Sequence, residues 1–120
     1  MSGAAGSMTV FGVYYAGIGL AFLTFPNPLL RLFGFPSTDE PWIRFVGLFV
    51  LILGYYFLRA ARSGVEPFFR WTVHGRFLFA ATCFVLFAAS EPAPPAFLLF
   101  GTVDMLGAFW TLLALRPPRG

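Results

Sequence analysis

A chain of 120 residues has room for one domain. Hydrophobic residues make up 58% of it and charged residues 11%, against about 45–50% and about 25% in soluble domains. A soluble fold of this size leaves too much of its chain exposed to hide so much apolar surface. The net charge of +3 comes from arginines spread singly along the chain, with no lysine, so the basic stripe of a nucleic-acid surface is missing.

What remains is an all-α, polytopic membrane protein. Residues 1–8 (MSGAAGSM) lack the basic region of a cleavable signal. They read as a flexible leader or an expression remnant, with Met8 a candidate start. The first span is expected at about 10–25 and is stopped by Pro26-Asn27-Pro28. Residues 29–35 (LLRLFGF) suit the membrane interface. Pro36 to Pro41 form a turn in which Thr38, Asp39 and Glu40 are placed to cap a helix. The second span is expected at about 42–58, ending in Arg59 and Arg62, and 63–67 break the chain. The third, at about 69–89, carries Arg70, His74 and Arg76 in its first turns. A Pro-rich turn (90–95) leads to the fourth, at about 96–115, which Arg116 and Arg119 close. Each run is near the roughly 20 residues that cross a bilayer. The result is four transmembrane helices in two hairpins within a single domain.

Arg59, Arg62, Arg70, Arg76, Arg116 and Arg119 fall on one side of these spans, and only Arg31 and Arg44 on the other. The positive-inside rule then puts both termini in the cytoplasm of an inner-membrane protein. Thr9-Val10-Phe11-Gly12 matches Thr72-Val73-His74-Gly75, and Gly47 with Gly54-Tyr55-Tyr56 matches Gly101 with Ala108-Phe109-Trp110. These matches suggest a parallel 2+2 repeat of the hairpins.

Chemistry concentrates at Asp104, in the middle of FLLFGTVDMLGAFWTLL (97–113). A carboxylate at the centre of a membrane helix costs about 2.5–3.5 kcal/mol, which a bound proton or a partner must offset. Gly101, Asp104, Ala108 and Thr111 share one helix face, and small residues allow close helix approach. The face therefore points into the bundle. Arg76 is the first candidate for the counter-charge, with Arg44 and His74 as alternatives and Tyr14 or Tyr55 as hydrogen-bond donors. Gly12, Ala16 and Gly19 mark the contact face of the first span, and Gly47 and Gly54 that of the second. Each feature also has a plainer explanation. Asp104 would only bond a neighbouring helix, Arg76 would reach out to the headgroups, and His74 would face lipid. Trp42, Trp71 and 66–71 (EPFFRW) would anchor the interface, and Cys83 would be a small hydrophobe.

Enzyme templates are absent. One histidine, one cysteine and two aspartates make a metal site of ordinary ligand count improbable, and no cofactor is implied. A lipid-modifying enzyme would have only His74, Arg76 and Glu66 near one leaflet.

In size and span count the chain is similar to the small multidrug-resistance transporters. Their essential carboxylate is a glutamate in the first span, and the first span here (VFGVYYAGIGLAFLTF) has no acid. The fluoride-channel family is also of similar size, but its Gly-rich first-span motif followed by Arg is missing. The Gly/Ala-rich first span, the link 28–35 (PLLRLFGF) and the opening 44–48 (RFVGL) resemble the bacterial DoxX-like four-helix membrane proteins. That resemblance implies the fold and carries over no functional residue. Two expectations follow for the molecule in its bilayer. One is binding or transport of a small lipophilic or amphiphilic molecule in a pocket near Asp104. The other is a structural or accessory subunit, or a homo-oligomer held by the glycine stripes, in which Asp104 only fixes packing.

Overall fold

The computed structural model describes residues 3–91 and 93–115, and these are helical apart from short connections. Five helices follow one another: α1 (Gly3–Thr24), α2 (Pro26–Leu32), α3 (Trp42–Ser63), α4 (Glu66–Ala89) and α5 (Pro95–Ala114). All but α2 are long and apolar enough to cross a membrane. The protein is an all-α, multi-pass integral membrane protein. Arg116 and Arg119, which closed the fourth span in the sequence, lie outside the described residues.

The helix ends follow local chemistry. Pro26 halts α1 and, with Pro28, opens α2, where a missing N–H costs nothing. Gly64 ends α3 in the left-handed region (φ 67°) and returns its N–H to the Ala60 carbonyl. Two expectations are corrected here. The leader assigned to residues 1–8 is helical from Gly3, with Ala4, Ala5, Ser7 and Met8 buried. Its alanines favour helix, and its small side chains let the end of α5 approach: a Cβ on Gly3 would lie 3.6 Å from that of Ala114. Thr38 does not cap α3. Its hydroxyl accepts the Glu40 N–H, and its own N–H goes to Asn27 Oδ1, so these bonds fold the loop.

The four long helices form an open arc in the order α3, α1, α5, α4. Between α1 and α3 the backbones themselves are in contact. A Cβ on Gly47 would sit 2.6 Å from the Leu23 nitrogen and 2.7 Å from the Gly19 carbonyl oxygen, and one on Gly54 2.6 Å from the Ala16 nitrogen. The stripe Gly12, Ala16, Gly19 is thus consumed against Gly47 and Gly54 of the same chain. The α4–α5 hairpin closes on larger groups, with Gly101 against Cys83 and Phe84 and Phe77 edge-on to Phe109 at 5.0 Å. Gly12 and Gly75, paired in the suggested repeat, have unlike surroundings, since a Cβ on Gly75 would meet nothing within 4 Å.

The hairpins join through α1 and α5, where Gly107 leaves room for the Phe11 ring. At the α2 end, Phe33 packs edge-on to Phe100 and tilted against Phe22, Phe35 packs edge-on to Phe97, and the Ala96 N–H donates to the Phe33 carbonyl. The ends of the arc, α3 and α4, barely touch beyond the turn that connects them.

Candidate functional site

Asp104 sits at the midpoint of α5 and is 4% exposed. Its Oδ2 accepts a 2.7 Å hydrogen bond from the Tyr15 hydroxyl of α1. A hydrogen bond to a charged group contributes about 1.5–3 kcal/mol, enough to offset most of the about 2.5–3.5 kcal/mol cost of a mid-membrane carboxylate. Oδ1 accepts no hydrogen bond among the described residues.

Arg76, in the middle of α4, is 3% exposed, so its head does not reach the headgroups. Its Nη2 donates to Thr111 Oγ1 at 2.9 Å and to Thr72 Oγ1 at 3.2 Å, and its Nε to the Thr72 carbonyl at 3.3 Å. The guanidinium carbon lies 5.2 Å from the Phe11 ring centroid and 5.6 Å from that of Phe57, within cation–π range. Proton counting orders the rest. Ser7 gives its hydroxyl proton to the Ala4 carbonyl, so Thr111, 2.7 Å away, donates to Ser7 and accepts from Arg76. This relay ties α4 to α5 and α1. Nη1 of Arg76 is buried with no hydrogen-bond partner. Among the described residues no direct ion pair joins Arg76 to Asp104.

Both side chains belong to the wall of a cavity of about 570 Å³ inside the arc, to which α1, α3, α4 and α5 all contribute. Tyr14 and Tyr15, on the Asp104 side, and Thr72, bonded to Arg76, are other polar groups in its wall. Elsewhere it is apolar, with Ile18, Phe22, Val50, Phe57, Phe79 and Phe100. Trp42 and Val46 of α3, and Trp71 and Phe79 of α4, line it while remaining exposed. The mouth therefore lies between α3 and α4, on the flank that the membrane's hydrocarbon would cover.

The structure brings Asp104, Arg76, Thr111 and Tyr14 to one region and buries Gly101 and Ala108 on the predicted face. It does not bring the others. Arg44 is exposed and donates to the Leu23 carbonyl at the end of α1, as cations near helix C-termini do. His74 is exposed. Tyr55 is 56% exposed and packs on Tyr56, away from the cavity. The partner of Asp104 is Tyr15, where Tyr14 or Tyr55 was expected. The signal was present: Tyr15 lies three residues after Gly12 and four before Gly19, on the face that meets other helices. Ser7 went unrecognised because it fell in the supposed leader; Thr72 was read only as part of the repeat, although it stands four residues before Arg76 on the same helix face.

Comparison of the chain with protein-family models, curated proteins and solved structures returns no match.

Proposed function

We propose that this protein binds a small lipophilic or amphiphilic molecule inside the membrane, beside Asp104, and delivers or transports it. The observation that carries this reading is the cavity: apolar along most of its wall, open towards the bilayer, with a carboxylate and an arginine buried in one patch. Ligand sites commonly have this form, an apolar container of about 300–1,000 Å³ with few polar groups that fix orientation. Intramembrane ionisable residues are expensive and tend to mark function.

Native mass spectrometry of the detergent-released protein tests it. The wild type is expected to retain a small-molecule adduct, and Asp104→Asn to lose it at least tenfold, the equivalent of about 1.4 kcal/mol. Adducts of equal intensity on both proteins would sink the proposal. A second role is favoured by the relay from Arg76 through Thr111 to Ser7, which joins three helices. In that reading the protein is a structural or accessory subunit and Asp104 is a packing bond. Tyr15→Phe separates the two: it removes the packing bond, and the proposed function expects the adduct to persist on it.

We further propose an inner-membrane location with cytoplasmic termini. The arginines at the α3–α4 turn support this, with Arg59, Arg62 and Arg70 exposed near it. In a bacterial host, fluorescent-protein fusions at Gly64 should fluoresce and phosphatase fusions at Ser90 should be active. The inverse pattern reverses the assignment.

A further inference from the structure

The two charged side chains of the cavity wall differ in what they can offer an occupant. Arg76 offers nothing. Its Nε and Nη2 are bonded to Thr72 and Thr111, and Nη1, though unpartnered, is sealed inside the protein. Asp104 is the opposite case. The Tyr15 hydroxyl bonds Oδ2, and Oδ1 accepts no hydrogen bond among the described residues. Unlike Nη1, Oδ1 is not sealed, and Asp104 belongs to the cavity wall. A buried carboxylate thus presents one open acceptor atom to an apolar container.

That acceptor selects among occupants. A hydrocarbon would strip water from Oδ1 and return no bond, which is the costly way to bury a polar atom. An anionic head would set like charge against the carboxylate. An alcohol gives a proton without a charge, and a quaternary ammonium a charge without a proton. An amine gives both. Whichever partner brings the proton, the pair formed is the same. A protonated amine donates an N–H to Oδ1. A neutral one takes a carboxyl proton on its nitrogen lone pair, the O–H bond breaking as the N–H bond forms, and then donates that N–H. Arg76 does not undo this pair. Its Nη2 donates to Thr111, two helical turns from Asp104 on α5, about 10 Å along the axis. Coulomb energy varies inversely with distance. At equal dielectric, a carboxylate at a hydrogen-bond distance of about 3 Å attracts an ammonium about three times as strongly as a guanidinium about 10 Å away repels it. Tyr15 and Phe100, which is one turn before Asp104 on α5, also line the cavity, and aromatic ring faces draw cations. Beyond Phe100 the wall is Ile18, Phe22, Leu30, Val46 and Trp42, which suits an apolar body.

Resting on the binding reading above, we infer that the occupant is a lipophilic amine. Its N–H-bearing ammonium is held against Asp104 Oδ1, its apolar body fills the remainder of the cavity, and it enters sideways between α3 and α4. Trp42 and Trp71 line the cavity and Trp110 does not, so the first two report on what enters.

The test uses the full chain in non-ionic detergent with Trp110→Phe, which leaves Trp42 and Trp71 as the tryptophans. 1-Hexadecylamine brominated near its chain end is the quenching probe, and saturable quenching is expected. Unlabelled 1-hexadecylamine should displace the probe at least tenfold better than hexadecyltrimethylammonium, 1-hexadecanol, hexadecane or hexadecyl sulfate. Asp104→Asn should weaken the brominated amine at least tenfold while leaving quenching by a brominated hexadecane unchanged, which also shows that the variant keeps its cavity. The competition series leaves Asp104 intact, so it decides the matter even if Asp104→Asn fails to fold. If any of the other four compounds competes equally with the amine, or a folded Asp104→Asn binds the amine as before, the amine is wrong and the binding site survives. If no chain quenches saturably, the binding reading itself falls.

Discussion

Gly47→Ala is expected to destabilise the protein by about 3 kcal/mol, the upper part of the usual range for overpacking. The new methyl would meet the Leu23 nitrogen at 2.6 Å, the Gly19 carbonyl oxygen at 2.7 Å and the Phe22 carbonyl carbon at 2.9 Å. All three are backbone atoms, so no rotamer change relieves the clash, and the helices must separate along a seam where backbone meets backbone. Gly75→Ala is the control. It is also a helix-interior glycine, but its methyl would meet nothing within 4 Å. It should be neutral or stabilising by up to about 1 kcal/mol, because alanine loses less backbone entropy in a helix. Unfolding in mixed micelles, followed by circular dichroism, measures both. Equal losses for the two variants would mean that the α1–α3 seam is not the close contact described.

The second large effect is a non-additivity. Arg76→Met keeps the bulk of the side chain but removes the hydrogen bonds to Thr72 and Thr111 and the cation between the Phe11 and Phe57 rings. It also leaves Asp104 as the only charge in the patch. A loss of about 3 kcal/mol is expected, as when one member of a buried charge set is removed. Adding Asp104→Asn should restore most of it, because replacing buried charges together is often neutral or stabilising by about 1–4 kcal/mol. No orphaned hydroxyl opposes this, since Thr72 retains the Phe69 carbonyl and Thr111 retains Ser7. A double-mutant cycle on unfolding free energies reads the coupling. Strict additivity would show that the two charges do not share an environment. A double variant that folds well and loses its adduct would separate the chemistry of the patch from its contribution to stability.

The four spans were legible because a bilayer demands long apolar runs, and prolines and glycines punctuate them. The face of α5 was legible for a similar reason, since Gly101, Asp104, Ala108 and Thr111 repeat at helical spacing and all are buried. The start of α1 was not: Gly-Ala-Ala-Gly-Ser looks the same as a linker and as a helix packed against small neighbours. The arginine was found, but Tyr15, the donor to Asp104, was not. Depth along a helix follows from residue number, but which groups meet depends on rotation and on neighbours, neither of which one chain's hydropathy records. Least legible was the gap. Helices joined by a turn as short as Gly64–Val65 normally pack together, and here each is held by a different partner, α3 by α1 and α4 by α5.

That gap leaves the spacing of α3 and α4 to be set from behind. Each is stiffened by a second helix packed along it, α3 by α1 and α4 by α5. A 22-residue arm such as α3 is about 33 Å long at about 1.5 Å per residue. One degree of change in the angle between the two hairpins therefore moves its far end by about 0.6 Å on that geometry. The width of the mouth is thus written into the opposite wall of the arc, where Phe11 seats at Gly107 and Tyr15 bonds Asp104.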